Sequence, residues 1–221
     1  MSLGDSWVSD IVETGSASID ILTLTTSPFV GTRYVRFGGT TPGSGSPAGS
    51  GALYLVDPPF TRGFPLGILR TLIRCDTSQQ THAGFFCMAS QDVGIADAGS
   101  VYTIGIDSSR RIGVWKITSG GLVSGTRTEI LLTDDVLTPG TRYGLEIEWH
   151  ADVENFGGVE FIVKLGTALD FSDLALIATE TDTTSPLLVS AAEGLYLTTQ
   201  GVSQTSTVSF DQSTITEITI A

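Results

Sequence analysis

The chain has 221 residues, with 24 Asp+Glu against 11 Lys+Arg and a formal net charge of −13. One large domain suits that length better than two small ones for an all-β chain, and it can bury enough surface to need no disulfide or metal staple. The acidic balance works against nucleic acid and against an anionic membrane surface as partners, since both recruit clustered cations.

In chain order the sequence reads as short strands separated by turn chemistry. The opening Met1–Trp7 has neither the basic nor the apolar region of a secretory signal, so synthesis in a cytoplasm is expected. No stretch approaches the roughly 20 apolar residues of a membrane helix. Strands are expected near 19–24, 33–37 and 52–56. Between the last two, residues 38–51 (GGTTPGSGSPAGSG) form a Gly/Ser/Pro-rich segment. It reads as a loop joining strands, with a linker to an N-terminal arm as the alternative. The expected organisation is therefore 1–37 as an arm and first strands packed on the main domain, 38–51 as the loop, and 52–221 as the sandwich.

Further strands are expected at 66–75, 84–89, 101–107, 111–117 and 127–132. In VYTIGID, Tyr102, Ile104 and Ile106 share one face, and Asp107-Ser-Ser-Arg110 turns into the returning RIGVWKI. The cleanest alternation is RYGLEIEW, 142–149. It sets Tyr143, Leu145, Ile147 and Trp149 on one face and Arg142, Gly144, Glu146 and Glu148 on the other. A period of two over this length is the mark of a half-buried strand. Pro139-Gly140 before it suits a type II turn. The strand VEFIVKL, 159–165, follows, with Glu160 and Lys164 facing away from the core. A single helical turn with a cap is expected around Asp170–Leu176, and strands again at 194–199, 206–211 and 214–220. Cys75 and Cys87 sit on consecutive strands, where a bridge is geometrically conceivable but two buried thiols are the better expectation.

Reaction machinery is mostly missing from the sequence. It holds no G-x-S-x-G elbow, phosphate-binding loop, H-E-x-x-H or C-x-x-C pattern. His82 and His150 occupy ordinary surface contexts, a polar turn and a strand end. Glu146 and Glu148 share a strand face about 7 Å apart, at the lower end of the roughly 6.5–9.5 Å that separates inverting glycosidase carboxylates. Their neighbours Arg142, Gly144 and His150 include no sugar-stacking aromatic, so a solvated outer face is the expected reading. Asp92, Asp97 and the Asp134–Asp135 pair are calcium candidates without the spacing of a calcium loop. No cofactor is expected. Trp115 and Trp149 read as core, and Trp7 as an anchor for the arm or a docking residue. The exposed binding aromatics are expected to be Phe60 and Phe64, in a turn stiffened by three prolines, Asp57-Pro-Pro-Phe-Thr-Arg-Gly-Phe-Pro65.

Taken together, Leu66–Cys75, AGFFCMAS, YTIGIDSSRRIGVWKI, LTPGTRYGLEIEW, VEFIVKLG, GLYLTTQ and VSFDQSTI resemble the concanavalin A-like lectin/glucanase fold, particularly its laminin-G-like domains. The resemblance covers about residues 52–220. It implies an all-β, two-sheet antiparallel jelly-roll sandwich with a short N-terminal arm. Gly4-Asp-Ser-Trp7 and Gly31-Thr-Arg-Tyr-Val-Arg-Phe-Gly38 also resemble the opening of bacteriophage virion proteins with this fold. The glucanase branch carries an E-x-D-x-E or E-x-D-x-x-E strand, whereas this chain has Glu146-x-Glu148 followed by Trp149 and lacks the central aspartate.

The expectation from sequence is thus a non-enzymatic structural or appendage protein of a phage virion. Its partners would be other virion proteins and itself, as a closed homo-oligomer such as a trimer. The alternative is a carbohydrate-binding module for cell-surface glycans, with Phe60, Phe64, Glu146 and Glu148 as binding candidates. A glycoside hydrolase using Glu146 and Glu148 is the third reading.

Overall fold

The computed structural model describes residues 7–8, 16–23, 33–40, 50–55, 65–75, 81–88, 99–107, 109–118, 126–152, 154–155, 157–188, 194–199 and 205–218. The described residues form two seven-stranded antiparallel sheets and no helix. One sheet runs, in spatial order, β1 (Trp7–Val8), β4 (Ser50–Leu55), β13 (Gly194–Thr199), β6 (Thr81–Cys87), β7 (Val101–Ile106), β8 (Arg111–Thr118) and β9 (Thr126–Val136). The other runs β12 (Ala175–Asp182), β11 (Gly158–Gly166), β10 (Arg142–Asp152), β5 (Leu66–Cys75), β14 (Thr205–Glu217), β3 (Arg33–Thr40) and β2 (Ser16–Thr23). Strands adjacent in space are often distant in sequence, as the chain crosses repeatedly between sheets. This is the expected jelly-roll sandwich.

The alternation read from 142–149 fixes how the second sheet faces. Leu145, Ile147 and Trp149 are all but fully buried and join Val159, Phe161 and Val163 of β11 and Leu69 and Ile73 of β5 in the core. Gly67 of β5 lies opposite Trp149, and a Cβ there would collide with the indole, so the glycine makes room for the largest core side chain. Two edge-on ring pairs tie the sheets together, Phe85 to Phe210 with centroids 5.1 Å apart and Tyr102 to Phe161 at 4.9 Å. Such pairs contribute about 0.5–1.5 kcal/mol each beyond their burial. Cys75 and Cys87 are both buried and are not joined by a disulfide. Trp149 lies in the core as expected; Trp115, also buried, packs over Gly113 on the side of β8 away from Ile112 and Val114.

Two expectations are corrected. The single helical turn around Asp170–Leu176 is instead a non-helical turn, with the Phe171 N–H donating to the Ala168 carbonyl at 3.2 Å, followed by strand β12. Asp173 accepts hydrogen bonds backwards, from the N–H groups of Thr167 and Ala168 at 2.9 Å, rather than capping a helix that follows. The strands expected at 206–211 and 214–220 are one strand, β14, with a register shift between Asp211 and Thr214. The Gly-rich segment is shorter than its composition suggests, since β3 runs to Thr40 and β4 begins at Ser50; 41–49 lie outside the described residues.

A buried polar cluster latches the edge strand β12 to the opposite sheet. The Lys116 ammonium, from β8, donates to Asp182 Oδ2 at 2.6 Å and to the carbonyl of Thr184. The Tyr102 hydroxyl donates to the same Asp182 oxygen at 2.6 Å and accepts the Leu187 N–H at 3.0 Å. Burial, reinforced by the Asp182 carboxylate, pushes the Tyr102 hydroxyl well above its ordinary pKa, so it remains a donor. Removing one partner of a buried pair leaves an uncompensated charge, which costs about 3–5 kcal/mol. Lys116→Met and Asp182→Asn should each lower the unfolding free energy from urea titration by an amount of that order, while Lys116→Met/Asp182→Asn should cost less than the sum of the two singles. Additive losses in the double-mutant cycle would show that the pair is not coupled.

Candidate functional site

Because β10 buries its odd-numbered residues, its even-numbered ones face outward, and its pairing with β5 and β11 builds rows across the outer face. One row runs Thr214–Arg70–Glu146–Lys164–Leu176 and the next Thr216–Ile68–Glu148–Ile162–Thr179. At one end lies Leu66–His150–Glu160–Thr181, and towards the other end Leu72–Gly144–Gly166, then Arg74–Arg142.

The two glutamates expected to be solvated are not alike. Glu146 is 3% exposed, closed over by its neighbours in register. Arg70 donates through Nε to Glu146 Oε2, and Lys164 Nζ donates to Glu146 Oε1 at 2.8 Å and also to Glu148 Oε1. The face is the outer one, but Glu146 lies beneath a cationic cover. Burial is the largest single influence on its carboxyl and acts upward. The hydrogen bonds from Lys164 and Arg70 together outweigh it, and the group is held below the ordinary carboxylate range. Hydrogen bonds to Glu146 and Glu148 raise Lys164. A general acid of a glycosidase must stay protonated near neutral pH, and a scissile bond must fit between the two carboxylates. Here one carboxylate is held ionised and a lysine occupies the space between them, which argues against hydrolysis by Glu146 and Glu148.

His150 continues the ladder, with Nε2 3.5 Å from Glu148 and Nδ1 3.7 Å from Glu160. It stands at the rim of an open depression of about 780 Å³ whose lining includes Pro65, Leu66, Asp152, Glu160 and Thr181. Among the described residues no three His, Cys, Asp or Glu side chains converge as metal ligands.

The face also carries an aromatic ring that the sequence reading missed. The turn after β11 folds back over the sheet, and Phe171 comes within 3.0 Å of where a Cβ on Gly144 would stand. Asp173 closes similarly over Gly166, so both outward glycines serve the close approach of this turn. Phe171 has φ of 62°, a conformation uncommon for a non-glycine residue and worth roughly 1–3 kcal/mol of strain. Asp173 pins the turn, accepting from the N–H groups of Ala168 and Thr167 and from the Thr167 hydroxyl at 2.9 Å, and the two backbone donors hold its carboxyl below its ordinary pKa. The half-buried Phe171 therefore sits between the Arg74–Arg142 row and the Arg70–Glu146–Lys164 row.

Of the residues proposed from sequence, Glu146 and Glu148 meet on this face through Lys164. Phe60, Phe64, Asp92 and Asp97 lie outside the described residues. Asp134 is exposed on β9, in the other sheet. Arg70 and Lys164 were detectable in principle as outward positions of alternating strands, whereas their convergence on Glu146 depends on register.

No protein-family model matches the chain, and no curated protein matches it. Solved structures do. The endo-β-1,4-glucuronan lyase from the fungus Trichoderma reesei superposes with a TM-score of 0.61 at 11% identity, over 98% of this chain and 93% of that one. The PL-14 alginate lyase from Aplysia kurodai gives 0.59 at 10% identity over 91% and 87%. A Bacteroides ovatus mixed-linkage glucan GH16 enzyme in complex with G4G4G3G product gives 0.57 at 8% identity over 96% and 95%. At such identities the likeness is one of fold, that of the concanavalin A-like sandwich enzymes. It corrects the expectation of a non-enzymatic virion structural or appendage protein: these structural neighbours are polysaccharide-degrading enzymes, and nothing in the comparisons points to a phage particle.

The pKa directions on this face define a pH window. Folding lowers Glu146 from 4.5, so its contribution is complete above that value and fades as pH falls through the folded pKa. Folding raises Lys164 from 10.5, so its contribution is complete below that value and fades as pH rises through the folded pKa. Glu146→Gln should lower stability at neutral pH by about 1.5–3 kcal/mol, the usual worth of hydrogen bonds to a charged group, and should flatten the acid limb of stability against pH. An acid limb of unchanged steepness in urea titrations would show that Glu146 does not govern it.

Proposed function

We propose that this protein is polysaccharide-active and holds a glycan chain across the outer face of the sheet containing β5, β10 and β11. The observation that carries this reading is the placement of Phe171 over Gly144, beside the Arg70–Glu146–Lys164–Glu148 ladder. A half-exposed ring next to pre-ordered charged side chains combines an apolar platform with fixed polar groups, the combination that orients a ligand in a binding site. Lys164 and Arg70 are already held by Glu146, so little side-chain entropy remains to be lost when a sugar hydroxyl meets them. Leu176, 61% exposed and in register with Lys164, extends the apolar contact towards the sheet edge. The fold shared with enzymes that degrade glucuronan, alginate and mixed-linkage glucan supports the same reading.

A second reading, cleavage of the bound chain, is favoured by His150. Its imidazole stands between Glu148 and Glu160 at the rim of the depression, where a base could remove a proton from a bound sugar. Elimination in a uronate chain would pass the proton beside the carboxylate to His150, form a C=C bond as the glycosidic C–O bond breaks with its electron pair on the leaving oxygen, and let that oxygen take a proton from solvent, leaving an unsaturated sugar.

Isothermal titration against a panel of soluble polysaccharides tests the binding reading. Phe171→Ala should weaken binding roughly tenfold, corresponding to about 1.4 kcal/mol, with the protein still folded because Phe171 lies outside the core cluster. Full affinity in Phe171→Ala would remove this face from the site. Appearance of an ultraviolet-absorbing unsaturated product, abolished by His150→Ala, would establish cleavage; intact polymer after prolonged incubation would leave binding alone.

A further inference from the structure

His150 stands between two carboxylates, and its two ring nitrogens meet unlike partners. Nε2 lies 3.5 Å from Glu148 Oε2, and Nδ1 lies 3.7 Å from Glu160 Oε2. The Glu148 side chain is 16% exposed and uses its oxygens separately. Oε1 accepts from Lys164 Nζ, while Oε2 faces the imidazole. Lys164 also donates to Glu146 at 2.8 Å, so Glu148 is tied into the ladder on β10 and β11. The Glu160 side chain is 46% exposed and shares the wall of the depression with Asp152, Glu154 and Thr181. One carboxylate thus holds the ladder side of the ring, and the other borders the open side.

We propose that Glu148 is a positioning residue: it holds the imidazole as its Nε2–H tautomer and leaves Nδ1, towards the depression, as the nitrogen that accepts the proton. The inference rests on the reading that the bound chain is cleaved, and it adds which nitrogen acts and what orients it. In a neutral imidazole one nitrogen donates and the other accepts. A carboxylate attracts the N–H and repels the lone pair, so the hydrogen-bond partner of one nitrogen decides the role of the other. Glu148 is the nearer of the two carboxylates, the less exposed, and the one secured by a lysine. Hydrogen bonds of this kind are often long in a ligand-free site and tighten in the complex.

Glu160 then has a different task. In the elimination, Nδ1 takes the proton beside the uronate carboxylate, and the electron pair left behind forms the C=C bond. The glycosidic C–O bond breaks with its pair on the leaving oxygen, which takes a proton from solvent. The imidazolium so formed carries an N–H on both sides, and each faces a carboxylate. Positive charge on the ring is therefore stabilised where it develops.

Nitrogen-15 NMR reads the tautomer directly, since the chain has only two histidines and His150→Gln identifies the signals of the second. At a pH where the ring is neutral, wild type should carry its His150 proton on Nε2. Glu148→Gln presents an amide that both donates and accepts, and should shift the tautomer ratio roughly tenfold or more. Glu160→Gln should keep the Nε2–H form. A proton on Nδ1 in the wild type, both nitrogens protonated at every pH where the protein is folded, or an unchanged ratio in Glu148→Gln would each overturn the assignment. Kinetics on a polyuronate supply the second arm. Glu148→Gln should lower kcat at least roughly tenfold, as a wrong tautomer does, while KM changes little. Full kcat in Glu148→Gln, with or without a raised KM, would overturn the positioning role and leave cleavage standing. Absence of unsaturated product from the wild type would overturn the cleavage reading, and the task of Nδ1 with it, whatever the tautomer.

Discussion

Strand β10 is paired along its length with β5 on one side and β11 on the other, and it cannot slip by one residue without reversing both of its faces. Its odd residues, Leu145, Ile147 and Trp149, fill the core; the even residues, Glu146, Glu148 and His150, therefore have a fixed outward address. The same hydrophobic constraint aligns Arg70 and Lys164 with Glu146, and Arg74 with Arg142. The rows of the outer face are thus a consequence of core packing: Gly67 yields space to the Trp149 indole, Trp149 sets the register, and the register sets which charges meet.

The outer face has a gradient along the strands. Arginines gather at one end, a compensated ladder of acids and bases occupies the middle, and His150 with further carboxylates borders the depression at the other end. The turn carrying Phe171 crosses between the first two zones and depends on two outward glycines that allow it to approach the sheet. The strain at Phe171 is offset locally by Asp173, which accepts from two backbone N–H groups and one hydroxyl. Such a device costs stability for no core contact, the pattern expected where a ring is held in place for a ligand.

The sequence made some of this legible and hid the rest for physical reasons. RYGLEIEW alternates so cleanly that its strand and inward face could be read directly, and VYTIGID and VEFIVKL likewise. Strand β12 could not be read, because it pairs on one side only, its register shifts between Val163 and Lys164, and Leu176 and Ile177 fall together instead of alternating. Glu146 looked like a solvated carboxylate because its cover comes from Arg70, 76 residues away, and Lys164, 18 residues away. Phe171 gave no signal either, as a positive φ at a phenylalanine has no compositional mark.

A heteronuclear NMR titration of the 23.2-kDa protein with a soluble acidic oligosaccharide tests polysaccharide binding at this face most directly. The expected result is a set of amide shifts confined to β5, β10, β11 and the 167–174 turn, centred on Gly144 and Phe171. Shifts clustering on β6 to β9, or on neither sheet, would contradict it.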